Sequence, residues 1–411
     1  MSSFTFLHAA DLHLDSPLKG LDPDAPADRI RRATRDALVN LVDFAREKQV
    51  AFVLLAGDLY DGDLRDWRTG HFLVEQLGRL IRDGIEVVAI SGNHDAEQVL
   101  TRKLPIPGLL GADKPSTRLL DRAPVAVHGQ GFAVRAVTHN LSLAFPPPVD
   151  GLFNIGLLHT ACGSAAHENY APCTVDDLAR RGYDYWALGH VHTRAELCRD
   201  PWIVFPGNIQ GRHINEEGAR GATLVSVQHG RVISGVHHPL DVLRWQRIPV
   251  DVTGAPDRDA VLNRVRLLLD AAALAARGRL LVVRVTLSGE CQAHADLMQS
   301  PEETLNQVRG IAAELAGPDG LWVESVVIDT RPALDVEAMR TQPGAIGALV
   351  QALDRAPLLD AGLRDFVADQ LRRANGVLPP DHPALAIAEG QIPARLIDQA
   401  RALVLAELAR G

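Results

Sequence analysis

Five short, mostly apolar runs in the first half of this chain stop abruptly at a polar motif, and that alternation limits the fold more than any other feature. The runs cover Phe4–Ala9 and residues 50–56, 85–90, 154–158 and 185–188. Just past them come Asp11-Leu12-His13, Gly57-Asp58, Gly92-Asn93-His94-Asp95, His159 and Gly189-His190-Val191-His192. Apolar runs of this length read as interior strands covered on both faces. Between the first three runs lie helical periods. Residues 28–48 carry apolar positions at Ile30, Ala33, Ala37, Leu38, Leu41, Val42 and Ala45, and residues 71–82 are a second amphipathic helix. Strand, helix, strand, helix, strand argues a layered α/β core.

Further strands are expected near residues 118–120, 123–128, 132–137, 202–205, 222–227 and 232–237, with a short helix at 174–181 capped by Thr174 and carrying Asp176 and Asp177 in its first turn. A mixed sandwich of two sheets with outer helices fits this order. A boundary is expected near Leu240, giving a first domain over residues 1–240. A small α/β domain follows over 241–328, with strands near 247–252, 280–287 and 321–328 and helices near 259–276 and 301–315. Residues 329–411 read as a Pro-containing connector and a helical region. The last helix has an apolar stripe of Ile397, Ala400, Leu403, Val404 and Leu408, which either packs on its own domain or docks a partner helix.

The motif residues are the right kinds to hold two divalent ions at the ends of adjacent strands. Asp11 and His13 are two apart, as are His190 and His192, so an extended chain turns each pair toward one point. The carboxylate of Asp58 has two oxygens and can bridge, and the Asn93 amide oxygen can ligate without adding charge. The natural partition gives one ion Asp11, His13, Asp58 and His192, and the other Asp58, Asn93, His159 and His190. Mixed nitrogen and oxygen donors suit Mn, Fe or Zn better than Ca or Mg. Such a pair can activate water and stabilise both oxygens of a phosphoryl transfer. His94, a neighbour of Asn93, points elsewhere and is expected to donate a proton to the leaving oxygen. Asp95 either orients His94 or caps the residues that follow. Asp15, Asp61 and Asp63 either support the ligands or solvate their turns, and the loop at 161–172, with His167 and Glu168, either lines the site or is ordinary surface.

The formal net charge of −9 argues mildly against indiscriminate polyanion binding, while Arg29, Arg31, Arg32 and Arg35, with Lys19 upstream, form either a basic patch or a solvated helix face. The four cysteines form no ligand-spaced cluster, and Cys162 and Cys173 read as reduced thiols. The first residues lack the pattern of a signal peptide, and no apolar stretch reaches the ~20 residues that span a bilayer, so a soluble cytoplasmic protein is expected.

The pattern DxH, GD, GNHD, a lone His and GHxH, in this order, resembles the calcineurin-like metallophosphoesterase superfamily. Residues 7–15, 56–61, 184–192 and 205–208 resemble the bacterial DNA-repair exonucleases of the SbcD type, and the whole is most similar to the YhaO-like branch. The resemblance covers residues 1–330 and implies a four-layer α/β/β/α sandwich with a small α/β capping domain and a helical C-terminal region. It implies the same ligand set, His94 as the proton-handling histidine, and two divalent ions, Mn2+ foremost. It further implies a nuclease acting on DNA ends, as an exonuclease with a possible endonuclease mode. Dimerisation through the N-terminal helical region and a coiled-coil ATPase partner, contacted by the C-terminal element, complete what it implies. The same metal chemistry would also serve a small-nucleotide phosphodiesterase or a phosphoprotein phosphatase. A non-catalytic scaffold for DNA ends is disfavoured by the complete ligand set.

Overall fold

The structure, a computed structural model, describes residues 3–16, 25–61, 66–96, 104–163, 170–317 and 319–333, and beyond them only 340–341, 343, 347–348 and 350–351. The expected C-terminal helices lie outside the described residues, as do Lys19, Asp63, His167 and Glu168. Among the described residues no helix is long and apolar enough to cross a membrane.

The first half alternates as its apolar pattern requires. Strand β1 (Phe4–Ala9), helix α1 (Ala27–Glu47), β2 (Phe52–Ala56), α2 (Trp67–Arg82) and β3 (Glu86–Ile90) lead into β4 (Ser116–Leu119), β5 (Val125–Gln130) and β6 (Phe153–His159). Helix α3 (Val175–Ala179), β7 (Tyr185–Gly189), β8 (Ala195–Arg199), β9 (Trp202–Phe205), β10 (Gly221–Gln228) and β11 (Arg231–Pro239) follow. They form two mixed sheets, one in the order β11-β10-β1-β2-β3, the other β4-β5-β6-β7-β9-β8. β1, β2 and β3 run parallel, and so do β5, β6, β7 and β9.

Period-two alternation decides what each strand buries. From β1, Phe6 faces the second sheet, joining Phe52, Leu54, Val127, Ile155, Leu157 and Tyr185, whereas Leu7 and Ala9 face α1 and α2 with Leu38, Leu41, Leu73 and Leu77. From β7, Tyr185 and Ala187 lie between the sheets, while Trp186 and Leu188 face outward into a cluster with Phe145 and Leu178. Both faces of each sheet are therefore covered, which makes the α/β/β/α sandwich. Burial of each such large side chain stabilises by about 1.5–3 kcal/mol.

Local signals place the helices. Ile30, Ala33, Ala37, Leu38, Leu41, Val42 and Ala45 form the buried stripe of α1, as their spacing requires. Helix α2 starts earlier than residue 71 because the Asp66 side chain caps it, accepting from Arg68 N at 2.9 Å. Thr174 and Asp177 form a capping box at α3. One expected strand is absent: residues 132–137 are irregular, because the run leaves the sheet after Phe132 and exposes Val134 and Arg135. Edge strand β8 has no strong apolar pattern and was not legible.

By compactness the chain divides into two units, one of residues 1–247, 272–283 and 316–324, the other of 248–271, 284–315 and 325 onward. Past β11 come β12 (Leu243–Asp251), α4 (Arg258–Ala276), β13 (Leu280–Cys291), the short α5 (His294–Gln299), α6 (Pro301–Ala316) and β14 (Leu321–Pro332), with the strands ordered β12-β13-β14.

Candidate metal centre

The loops leaving β1, β2, β3, β6 and β7 meet at one end of the sandwich. Parallel pairing continues past the sheet edge: Asp11 N donates to Gly57 O and His13 N to Asp58 O, both at 3.0 Å. His190 N donates to both carboxylate oxygens of Asp11 at 3.1 Å, and His94 N to Asp58 Oδ1 at 2.9 Å. Four of these residues hold positive φ: Asp11 (52°), His13 (42°), Asp58 (51°) and His190 (100°). Non-glycine residues there cost about 1–3 kcal/mol each and persist where surrounding structure enforces them, a pattern concentrated at functional sites.

Ligand-type atoms converge in three overlapping groups: Asp11, His13 and His192; His13, Asp58 and His94; and Asp58, His159 and His190, each within 4.8 Å of one another. Asp58 Oδ2 lies 3.7 Å from His13 Nε2 and 3.5 Å from His159 Nε2, between the two sides of the cluster. Asn93 Oδ1 is 2.9 Å from His159 Nε2. The structure thus brings together Asp11, His13, Asp58, Asn93, His159, His190 and His192, and sets His94 directly beside them. A cavity of about 470 Å³ opens here, lined by Asp58, Asn93, His94, His190, His192 and Arg212 among others.

The donor arrangement fits bound cations. His159 Nδ1 is 2.9 Å from Ala56 O and must donate to it, since a carbonyl only accepts. Burial lowers the His159 pKa to about 3, so the ring is neutral and its Nε2 is a bare lone pair. That lone pair faces the Asn93 and Asp58 oxygens, an arrangement of acceptors that a cation reconciles. His192 Nδ1 likewise donates to Glu216 Oε1 at 2.7 Å, and its Nε2 lies 3.1 Å from His13 Nε2. Burial lowers His13 to about 3 and raises Asp11 to about 7.

Asp61, not Asp95, orients His94. His94 Nδ1 is 3.0 Å from Asp61 Oδ1, and this hydrogen bond raises the imidazole pKa against the opposing effect of burial. Burial alone would push Asp61 up, but the nearby His13 imidazole and the hydrogen bonds from His94 and Ser16 hold its carboxyl well below the usual range. Asp95 turns the other way and is fully buried. It accepts from Leu59 N and Tyr60 N at 3.0 Å and from Gly92 N at 2.9 Å, joining the β2 and β3 exit loops. Among the described residues its oxygens hold these three amides, and the partner of His94 Nδ1 is Asp61 instead; the residues that Asp95 would cap lie outside the described ones.

Sequence reasoning missed Arg212 and Glu216. Arg212 contacts Asp61 Oδ2 and Glu216 Oε1, each at 3.1 Å. Glu216 also accepts from Asn208 Nδ2 at 2.9 Å. The only available signal was the 205–208 stretch upstream. The basic patch on α1 proves largely paired: Arg29 with Asp319, Arg31 with Asp28 and Arg35 with Asp15. All four cysteines are free thiols.

A layered α/β sandwich with these clustered triads at its strand exits defines a metal-dependent phosphoesterase with a candidate binuclear site. The profile of the calcineurin-like phosphoesterases matches residues 4–194, and that of the middle domain of metallophosphoesterase YhaO matches residues 245–331. An uncharacterized metallophosphoesterase YhaO of Bacillus subtilis (strain 168) is 33% identical over 375 residues, 88% of this chain and 89% of that protein. The DNA double-strand break repair protein Mre11 of Methanopyrus kandleri is 26% identical over 422 residues, covering 91% of this chain and 83% of its own length. Mre11 of Sulfurisphaera tokodaii is 26% identical over 270 residues, 61% and 64% of the two chains. The chain belongs to the calcineurin-like metallophosphoesterase superfamily, in its YhaO-like branch.

Proposed function

We propose that this chain hydrolyses phosphate esters with Asp58 shared between two ions and His94 as the proton donor. The observation that carries the reading is the position of Asp58 Oδ2, 3.7 Å from His13 Nε2 on one side and 3.5 Å from His159 Nε2 on the other. Asp11, His13 and His192 would hold one ion with Asp58, and Asn93, His159 and His190 the other. Bound ions would supply an activated water and offset charge on the phosphate. The Nδ1 proton of His94 is committed to Asp61, so the protonated ring has its Nε2 proton to give to the leaving oxygen. Asp95 keeps the two exit loops in register. Mn2+ is the proposed ion, on the mixed nitrogen and oxygen donors.

A small phosphodiester or a phosphomonoester is the substrate reading that asks for nothing beyond the site. The paired arginines of α1 and the net charge of −9 favour it. DNA ends are the second reading, supported by the Mre11 relatives, one matched over 91% of this chain. Under it residues 241–328 serve as a cap, the chain dimerises, and a coiled-coil ATPase engages the C-terminal region. The test is hydrolysis with Mn2+ of p-nitrophenyl phosphate, bis(p-nitrophenyl) phosphate and end-labelled single- and double-stranded DNA. Cleavage of the chromogenic esters alone selects the first reading, and shortening of labelled DNA selects the second. Inertness toward all of them refutes both.

A further inference from the structure

Arg212 belongs to none of the strand-exit motifs, yet it stands at the centre of a chain of alternating charges. Its Nη1 donates to Asp61 Oδ2 and its Nη2 to Glu216 Oε1, both at 3.1 Å. Asp61 in turn holds His94 Nδ1 at 3.0 Å and lies 3.7 Å from His13 Nδ1. Glu216 accepts from His192 Nδ1 at 2.7 Å. One guanidinium therefore joins the carboxylate behind His13 and His94 to the carboxylate behind His192. His13 and His192 sit in the same triad with Asp11.

The chain is shielded from water, with the Arg212, Asp61 and Glu216 side chains 14%, 13% and 6% exposed. Without the cation, two carboxylates would stand near one another in a medium of low dielectric, and each would be driven to move or to take up a proton. A planar guanidinium with N–H groups aimed at two different carboxylates also fixes their separation. A lysine ammonium on its flexible stem supplies charge without that geometry.

We infer that Arg212 is a positioning residue that clamps Asp61 and Glu216, so that His13, His192 and His94 are held as one unit around one ion and the leaving oxygen. The inference rests on the two-ion reading of the site. Groups that orient ligands from behind commonly govern metal affinity as strongly as they govern rate.

The test uses the full chain, Arg212→Ala and Arg212→Lys, with two readouts. Metal content is measured at the lowest Mn2+ concentration that saturates the wild type, with Mn2+ as the sole probe. Hydrolysis of bis(p-nitrophenyl) phosphate is then followed at high Mn2+. For Arg212→Ala the expected result is loss of one of two ions, through a ~10–100-fold weaker affinity. At high Mn2+ its kcat falls roughly 10²-fold with KM unchanged, and added guanidinium restores part of it. Arg212→Lys keeps the charge, and so the fold, but recovers neither full metal content nor full kcat. Two ions and wild-type kcat in Arg212→Ala overturn the inference. Full recovery in Arg212→Lys overturns the clamp, leaving charge alone. A wild type that binds two ions but leaves this ester, p-nitrophenyl phosphate and labelled DNA intact refutes the phosphoesterase reading, while the metal readout still judges Arg212.

Discussion

Gly92→Ala is the most direct probe of the shared carboxylate. A Cβ at this position would stand 2.2 Å from Asp58 Oδ1, 2.6 Å from Asp58 N and 2.8 Å from His159 Cε1. No real Cβ contact is that short, and the neighbours cannot give freely. Asp58 Oδ1 already accepts from His94 N at 2.9 Å, and the His159 ring is fixed by Ala56 O. Rotating the Asp58 carboxylate relieves only the contact with Oδ1; the contact with Asp58 N requires the backbone at the β2 exit to shift too, and both movements take Asp58 out of its place between His13 and His159. Overpacking of this kind costs about 1–3 kcal/mol, which lowers Tm by roughly 2–12 °C for a unit of this size. The fold therefore survives. The metal site does not, because Asp58 stands between the two sides of the cluster, near His13 on one and His159 on the other. Moving supporting groups alone costs 10–100-fold in affinity, so displacing a shared ligand should cost at least ~100-fold at both ions. Gly111→Ala is the control, since a Cβ there meets nothing within 4 Å. Calorimetric titration with Mn2+, paired with thermal unfolding of the metal-free chains, reads both effects. Two ions bound at wild-type affinity in Gly92→Ala would refute the placement of Asp58 as the shared ligand.

Asp61→Asn should lower kcat by about 10²–10⁴-fold, the usual scale of a proton donor's contribution, because it weakens the acceptor that orients His94. His94→Ala should do the same while metal content measured by atomic absorption stays at the wild-type value, and unchanged turnover would remove His94 from the mechanism. His8, fully buried between Tyr185 OH at 3.0 Å and Leu188 O at 3.1 Å, has its pKa lowered by burial from 6.5 to about 3. The unfolded chain then binds the extra proton first, so this contribution is complete above pH 6.5 and declines as pH falls toward 3, at up to ~1.4 kcal/mol per pH unit. Urea unfolding of wild type against His8→Gln should show that difference in slope, and parallel profiles would refute it. If DNA is the substrate, binding should weaken steeply between low and moderate salt, whereas hydrolysis of a small ester should change little.

What could be read from sequence and what could not divide along a physical line. The seven candidate ligands and His94 were legible because parallel strands deliver their exits to one edge, so a polar motif after each buried run is placed by local pattern alone. Of the two roles open to Asp95, adjacency in sequence suggested orienting His94, but its oxygens hold the amides of Leu59, Tyr60 and Gly92 while Asp61 meets His94. Asp61 was visible as a residue, but its partners were not. Glu216 and Arg212 come from the irregular stretch between β9 and β10, where no periodicity fixes direction, and they meet groups 24 and 151 residues away in His192 and Asp61. The arginines of α1 show the same thing in reverse. Amphipathicity identifies their exposed face, yet Arg29 is paired with Asp319, 290 residues on, and Arg35 with Asp15 across the β1 exit. Local pattern thus reports which groups are able to hold ions. The charge balance that fixes their orientation, and that decides how basic the surrounding surface is, arises from contacts distant in sequence. Local pattern therefore carries the candidate ion-holding groups, while the fields that would attract DNA or a small ester are set by these long-range pairs.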